Sequence, residues 1–203
     1  MANWVLNQIY ADKNTLDKIK ELIVVKNEKG KLIVDFNKLI PMPEDLNITA
    51  PSWYISVFSE NSIQKSIEPI LKDIFKGNLQ ITQDQFVCLS MKILTNICVK
   101  NDPLMRMIQG YYNIQKYGFP DWYDWCCENW GCKWNASDSC IEENEISYTT
   151  PWSPSMKIFE ALAHRGLEFE VVCDIEGEDD LMRLEYRGGH VIESYEPKSY
   201  DSE

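Results

Sequence analysis

The sequence predicts an α+β fold, an antiparallel sheet with helices on one face, interrupted by an inserted block of helices. Three observations carry this. Short apolar runs with period-two alternation lie towards both ends of the chain, and stretches with helical apolar stripes stand between them. Residues 51–118, by contrast, show helical stripes alone. With 203 residues, 44% of them hydrophobic, the chain can build one good core with a helical annex. No run approaches the ~18 apolar residues that a membrane span needs.

Trp4–Tyr10 reads as the first strand. Asp12 or Asn14 then caps a helix with the stripe Leu16, Ile19, Leu22 and Ile23. Asn27–Gly30 forms a turn, and Lys31–Phe36 returns as a second strand. In the following segment, Lys38–Leu46, Pro41 and Pro43 rule out both helix and central strand.

Within 51–118, Ile63, Ile67, Ile70, Leu71 and Ile74 mark a helix that ends at Gly77. Thr82 caps a second, with Phe86, Leu89, Ile93, Leu94 and Ile97 on one face. Asp102-Pro103 opens a third, with Leu104, Met107, Ile108 and Tyr111, stopped at Gly118. The expected organisation is a core of residues 1–50 and 119–195, an inserted three-helix subdomain at 51–118, and a flexible tail at 196–203.

Pro120 opens a short helix that carries Trp122, Tyr123, Trp125, Cys126 and Trp130. Cys132–Asn135 and Ile146–Thr149 read as strands. Ser153-Pro154 starts a helix with Met156, Phe159, Leu162 and Ala163 in its stripe, and Gly166 ends it. Leu167, Phe169, Val171 and Cys173 alternate with polar neighbours, as a half-buried strand does. After the loop Asp174–Asp180 comes a strand with Met182, Leu184 and Tyr186. Gly188-Gly189 then turns the chain into Val191–Tyr195.

Three segments, with the opening Ala2-Asn3-Trp4 and Asn7, carry a resemblance. They are Asp35–Leu46 (DFNKLIPMPEDL), Trp122–Ala136 (WYDWCCENWGCKWNA) and Thr150–Pro154 (TPWSP). The chain resembles the YubB-type ferredoxin-like domain family of phages and plasmids over residues 1–46 and 119–195. The resemblance implies a ferredoxin-like sheet and a mobile-element origin, but no reaction. Val5 stands where a cysteine often follows the first Trp, and Cys132 where a threonine is usual.

Signatures of catalysis are absent: there is no phosphate-binding glycine loop, no HExxH and no nucleophile elbow. His164 and His190 read as structural. The seven cysteines, an odd number without a CxxC pair, read as free thiols in a reducing compartment. Cys126, Cys132 and Cys140 lack the paired spacing of a zinc site, and the cluster Asp174, Glu176, Glu178, Asp179, Asp180 lacks that of an EF-hand loop. No cofactor and no metal are expected. The tryptophan-rich helix has the spacing of core packing rather than of a stacking platform. The opening residues show no basic segment followed by an apolar run, so the host-cell cytoplasm is the expected location.

Net charge is −12, and it is unevenly placed. Residues 119–203 carry six basic and twenty acidic side chains, so the C-terminal portion holds all of the excess. This opposes direct nucleic-acid binding and favours a basic protein surface. The leading expectation is a non-enzymatic binding protein that inhibits a host protein, such as a CRISPR effector or another defence nuclease, by imitating nucleic-acid charge. Its contact residues are Glu142, Glu143, Glu176, Glu178, Asp179 and Asp180. The equally weighted bland reading is that these charges only confer solubility. One alternative is docking or homo-oligomerisation through the inserted helices. Another is an enzyme on nucleotides or a small ligand, with a site assembled from distant residues.

Overall fold

The computed structural model describes residues 3–50 and 103–198. Backbone packing divides the chain into two units, Met1–Met42 with Trp125–Glu203, and Pro43–Asp124.

The first unit is built on a six-stranded, wholly antiparallel sheet. Its strands are β1 (Trp4–Tyr10), β4 (Ser137–Ile141), β5 (Ile146–Pro151), β6 (Phe169–Ile175), β7 (Asp180–Arg187) and β8 (His190–Pro197). Their order across the sheet is β4-β5-β1-β6-β7-β8. β1 therefore sits between two strands more than 130 positions away in sequence, Val5 facing Thr150 on one side and Ile175 on the other. Because β5 and β6 both oppose β1, they run parallel to each other. The helix α4 (Met156–Ala163) connects them across β1, which makes a split β-α-β unit.

Alternation along β1 decides which face is covered. Val5, Asn7 and Ile9 are buried, whereas Leu6, Gln8 and Tyr10 are only partly covered. The buried face continues through Ile146, Tyr148, Val171, Cys173, Leu184 and Tyr186. Phe159 of α4 packs its ring against Tyr186 on that face. The helix α1 (Lys13–Ile23) buries Leu16, Ile19 and Ile23, and Asp12 caps it by accepting the N–H groups of Asn14 and Thr15.

Four expectations need correction. Lys31–Phe36 does not join the main sheet: only Leu32–Val34 (β3) is extended, and it pairs with Val24–Lys26 (β2) in a separate two-stranded ribbon. Phe36 instead starts a 3-10 turn, because the Asp35 side chain accepts the N–H of Asn37 and tightens the chain there. Cys132–Asn135 is a loop, since Asn135 Oδ1 accepts the N–H groups of Phe36 and Ala136 in place of a strand partner. The buried stripe of α4 is Ile158, Phe159 and Leu162, with Met156 and Ala163 only half-buried. Glu196 and Pro197, expected in the tail, complete the β7–β8 ladder.

In the second unit, α2 (Pro103–Tyr117) stops before Gly118, whose φ of 80° suits glycine. The other two expected helices of the block lie outside the described residues. Flanking segments are bound to α2. Asn113 donates to the carbonyls of Asp45 and Pro120, and Asp45 accepts from Lys116 Nζ and Tyr117 Oη. These bonds place residues 43–50 and 119–124 with α2, beyond the expected 51–118 boundaries.

Candidate functional site

The segments most specific in sequence bury part of their side chains and leave Tyr123, Trp134 and Trp152 exposed. From α3 (Trp122–Asn129) and the loop after it, Trp125, Cys126, Trp130 and Cys132 are buried. The Trp130 ring stands edge-on to both Phe36 and Trp125, and its Nε1 donates to the Ile40 carbonyl at 3.0 Å. Ser153 Oγ donates to the Gly131 carbonyl, and Thr150 Oγ1 to the Ser153 carbonyl. Asn7, fully buried, donates to Thr150 Oγ1 at 2.9 Å and to the Val5 carbonyl. Tyr148 Oη bonds Ser155 Oγ at 2.8 Å. The first unit's parts of these motifs knit helices and loops to the sheet; their polar atoms are consumed by the fold.

Nucleophilic chemistry finds little purchase in the core. Burial pushes the Cys132 and Cys173 thiols up to about 12, so both are protonated at neutral pH. Burial also raises Tyr186, again to about 12, and holds Tyr148 well above the usual tyrosine value. His164, at the C-cap of α4, and His190, at the start of β8, are both exposed. Among the described residues, no group of three or more His, Cys, Asp or Glu side chains could hold a metal ion. An open depression of about 510 Å³ is lined by Lys31, Leu32, Asp138, Ser139, Cys140 and Ile141.

One end of the sheet differs. Trp4 opens β1, and Trp152 follows β5; both indoles are exposed, Trp152 by 54%. The Trp152 N–H donates to the Asn3 carbonyl at 2.8 Å, although its φ of 71° lies in the left-handed region. That conformation costs a non-glycine residue about 1–2 kcal/mol, which the surrounding structure must offset. Glu176 Oε2 accepts the Trp4 N–H at 2.9 Å, and the Glu176 N–H donates to the Trp4 carbonyl at 2.9 Å. Two exposed tryptophans and the β6–β7 turn are thereby joined through contiguous backbone. Glu176, Glu178, Asp179 and Asp180 are all exposed in or beside that turn. Lys198 bonds Asp174 at 2.7 Å and the Ile175 carbonyl.

Four of the six expected contact residues, Glu176, Glu178, Asp179 and Asp180, are thus brought together. Glu142 and Glu143 are not among them. They lie in the β4–β5 turn, beside Ile146, which pairs with Ile9 at the opposite end of β1. The seven residues of β1 span roughly 20 Å, so the two turns form separate patches. Glu143 is also engaged, by Lys13 Nζ at 2.7 Å.

Sequence reasoning missed Trp4 and Trp152 as site residues. Trp152 sits inside the TPWSP motif, whose other members face inward. Its position between two prolines in the pattern Pro-Trp-Ser-Pro was the available sign of an irregular, outward turn. What the assembled end can do is recognise cations: carboxylates attract them at range, and an indole face holds Lys or Arg at contact.

The geometry agrees with the comparison to known families. Residues 129–203 match the ferredoxin-like domain in Api92-like protein. The match takes in β4 through β8 with α4 and leaves out β1. It supports the ferredoxin-like reading of the sheet. No curated protein and no solved structure matches the chain.

Proposed function

We propose that this chain is a binding protein whose acidic, tryptophan-bearing sheet end occupies the basic, nucleic-acid-binding surface of a host protein. A defence nuclease such as a CRISPR effector is the partner class, and blocking it is the outcome. A YubB-type origin in a phage or plasmid, and action in the host cytoplasm, belong to the same proposal. The observation that carries it is the joining of exposed Trp4 and Trp152 to the carboxylates of Glu176–Asp180 through shared backbone hydrogen bonds. Carboxylates spaced along a turn can stand in for phosphates, and indoles supply the buried anchors that interfaces concentrate. The strained backbone of Trp152 also supports a functional role, since its ring is held outward at a cost to the fold.

The test is affinity capture from host lysate at low and moderate salt, followed by nuclease assays with the captured protein. Reversal of Glu178, Asp179 and Asp180 to lysine is expected to weaken capture by about tenfold or more, and the wild-type complex should weaken as salt rises. Trp152→Gly relieves the positive φ, so it should keep a Tm close to wild type while losing affinity. Capture that is indifferent to all of these changes would sink the reading.

A further inference from the structure

The two edges of the sheet are finished differently. At β4 the register shifts between Ser137 and Cys140, and Asp138 adopts a φ of 46°. Ser139 Oγ on that edge accepts the Val34 N–H from β3 at 3.0 Å. β4 is therefore bulged, partly covered and unsuited to pairing with another chain. Edge strands are ordinarily blunted in such ways because an open ladder invites association.

β8 carries none of these devices. Its register with β7 runs unbroken from Asp180↔Pro197 to Arg187↔His190. All eight of its residues are exposed, with Ile192 at 61%, Tyr195 at 57% and Val191 at 52%. The strand contains no lysine, and its one proline lies at the end. Gly188 and Gly189, both at positive φ, form a two-residue turn that closes on Arg187 and His190. Hydrogen-bonded pairs then alternate, so the N–H and C=O groups of Val191, Glu193 and Tyr195 point away from β7.

Charge selects the occupant. Glu193 and Glu196 are exposed on β8, and Arg183 is already bonded to Glu170 and Glu196 at 2.6 and 2.7 Å. At its far end the edge meets the acidic turn, where the Lys198 N–H donates to the Asp179 carbonyl. A second copy would bring its own Glu193 and Glu196 to the same edge, along with another net charge of −12. We infer that β8 is a docking edge onto which an extended, lysine- or arginine-bearing segment of a partner protein adds as a seventh strand. Main-chain hydrogen bonds to Val191, Glu193 and Tyr195 would supply the affinity, and the carboxylates the sign of the partner. The inference rests on the proposed docking of a basic partner.

The full chain should be titrated with a synthetic peptide of alternating lysine and valine, and separately with its glutamate–valine counterpart, while backbone amide exchange is followed. Strand addition predicts slowed exchange at Val191, Glu193 and Tyr195 with the basic peptide alone. Val191→Pro removes one outward N–H without changing charge, and is expected to weaken the peptide by about tenfold. Should that variant misfold, the wild-type exchange pattern still decides. Binding without protection at those three amides, or equal binding of both peptides, would overturn strand addition. So would protection of the same amides without peptide in a self-associated dimer. Loss of binding on reversing Glu178, Asp179 and Asp180 but not in Val191→Pro would leave the acidic docking reading standing and reject this one. Binding untouched by either change would reject both.

Discussion

At the scale of single residues, the places where the fold is least tolerant are those where the backbone itself is crowded. Gly131 has a φ of 81°, and a Cβ there would lie 2.9 Å from the Met156 backbone nitrogen. Neither the conformation nor the clash can be relieved by turning a side chain. Gly131→Ala is therefore expected to destabilise by at least about 2 kcal/mol, read as a fall in urea midpoint without a change in slope. Asn7 makes a different case, because its side chain is fully buried and bonded to Thr150. Asn7→Ala strands the Thr150 hydroxyl's acceptor site and the Val5 carbonyl's extra bond, and should cost about 1–3 kcal/mol. Thiol labelling probes the same core by another route. Cys127 and Cys140 are exposed, whereas Cys126, Cys132 and Cys173 are buried, with Cys132 and Cys173 pushed up to about 12. Among these five, an alkylating reagent at pH 8 should modify Cys127 and Cys140 in the native state, located by mass spectrometry. Modification of Cys173 without unfolding would contradict its burial.

At the scale of elements, α1 can be tested through its cap. The Thr15 hydroxyl and backbone N–H donate to Asp12 and hold its carboxyl below the usual carboxylate range. A lowered folded value means that the contribution is complete above the unfolded value near ~3.9. It is then lost as pH falls through the lower folded value. Asp12→Ala should depress Tm at neutral pH, and Asp12→Asn should restore most of it while removing this acid-range dependence. The cap, the stripe of α1, the stop of α2 and the Gly188-Gly189 turn were all legible, because each is decided by neighbours a few positions apart. Cys132–Asn135 and Lys31–Phe36 were misread for the opposite reason. Val34, Phe36 and Cys132 are buried while Leu32 and Trp134 are exposed, and only Leu32–Val34 joins a ladder, with β2 rather than with the main sheet. Nothing in the local pattern distinguishes such a half-buried run from a strand of the main sheet.

At the scale of the whole molecule, the decisive feature is that β1 fills a slot between β5 and β6. This also explains why the candidate site was only half legible. Charge segregation along the chain is visible in the sequence, but whether two acidic turns share a patch depends on which ends of which strands they join. Glu142 and Glu143 enter β5, Glu176 leaves β6, and the parallel run of those strands sends the two turns to opposite ends. The same topology makes a prediction about autonomy. Without β1, the backbones of β5 and β6 stand about 10 Å apart, twice the spacing of a hydrogen-bonded pair. The buried side chains of Val5, Asn7 and Ile9 would also be missing from the middle of the core. A fragment of residues 129–203, although it spans the matched family domain, is therefore expected to show no cooperative thermal transition. Adding residues 1–42 in trans should restore one, with a concentration-dependent Tm. The same peptide carrying Ile9→Lys should fail, because the lysine would enter the core unpaired. Cooperative unfolding of residues 129–203 alone would mean that β5 and β6 can close on each other. In that case β1 would be an insertion into a sheet already complete, rather than the strand that makes it one.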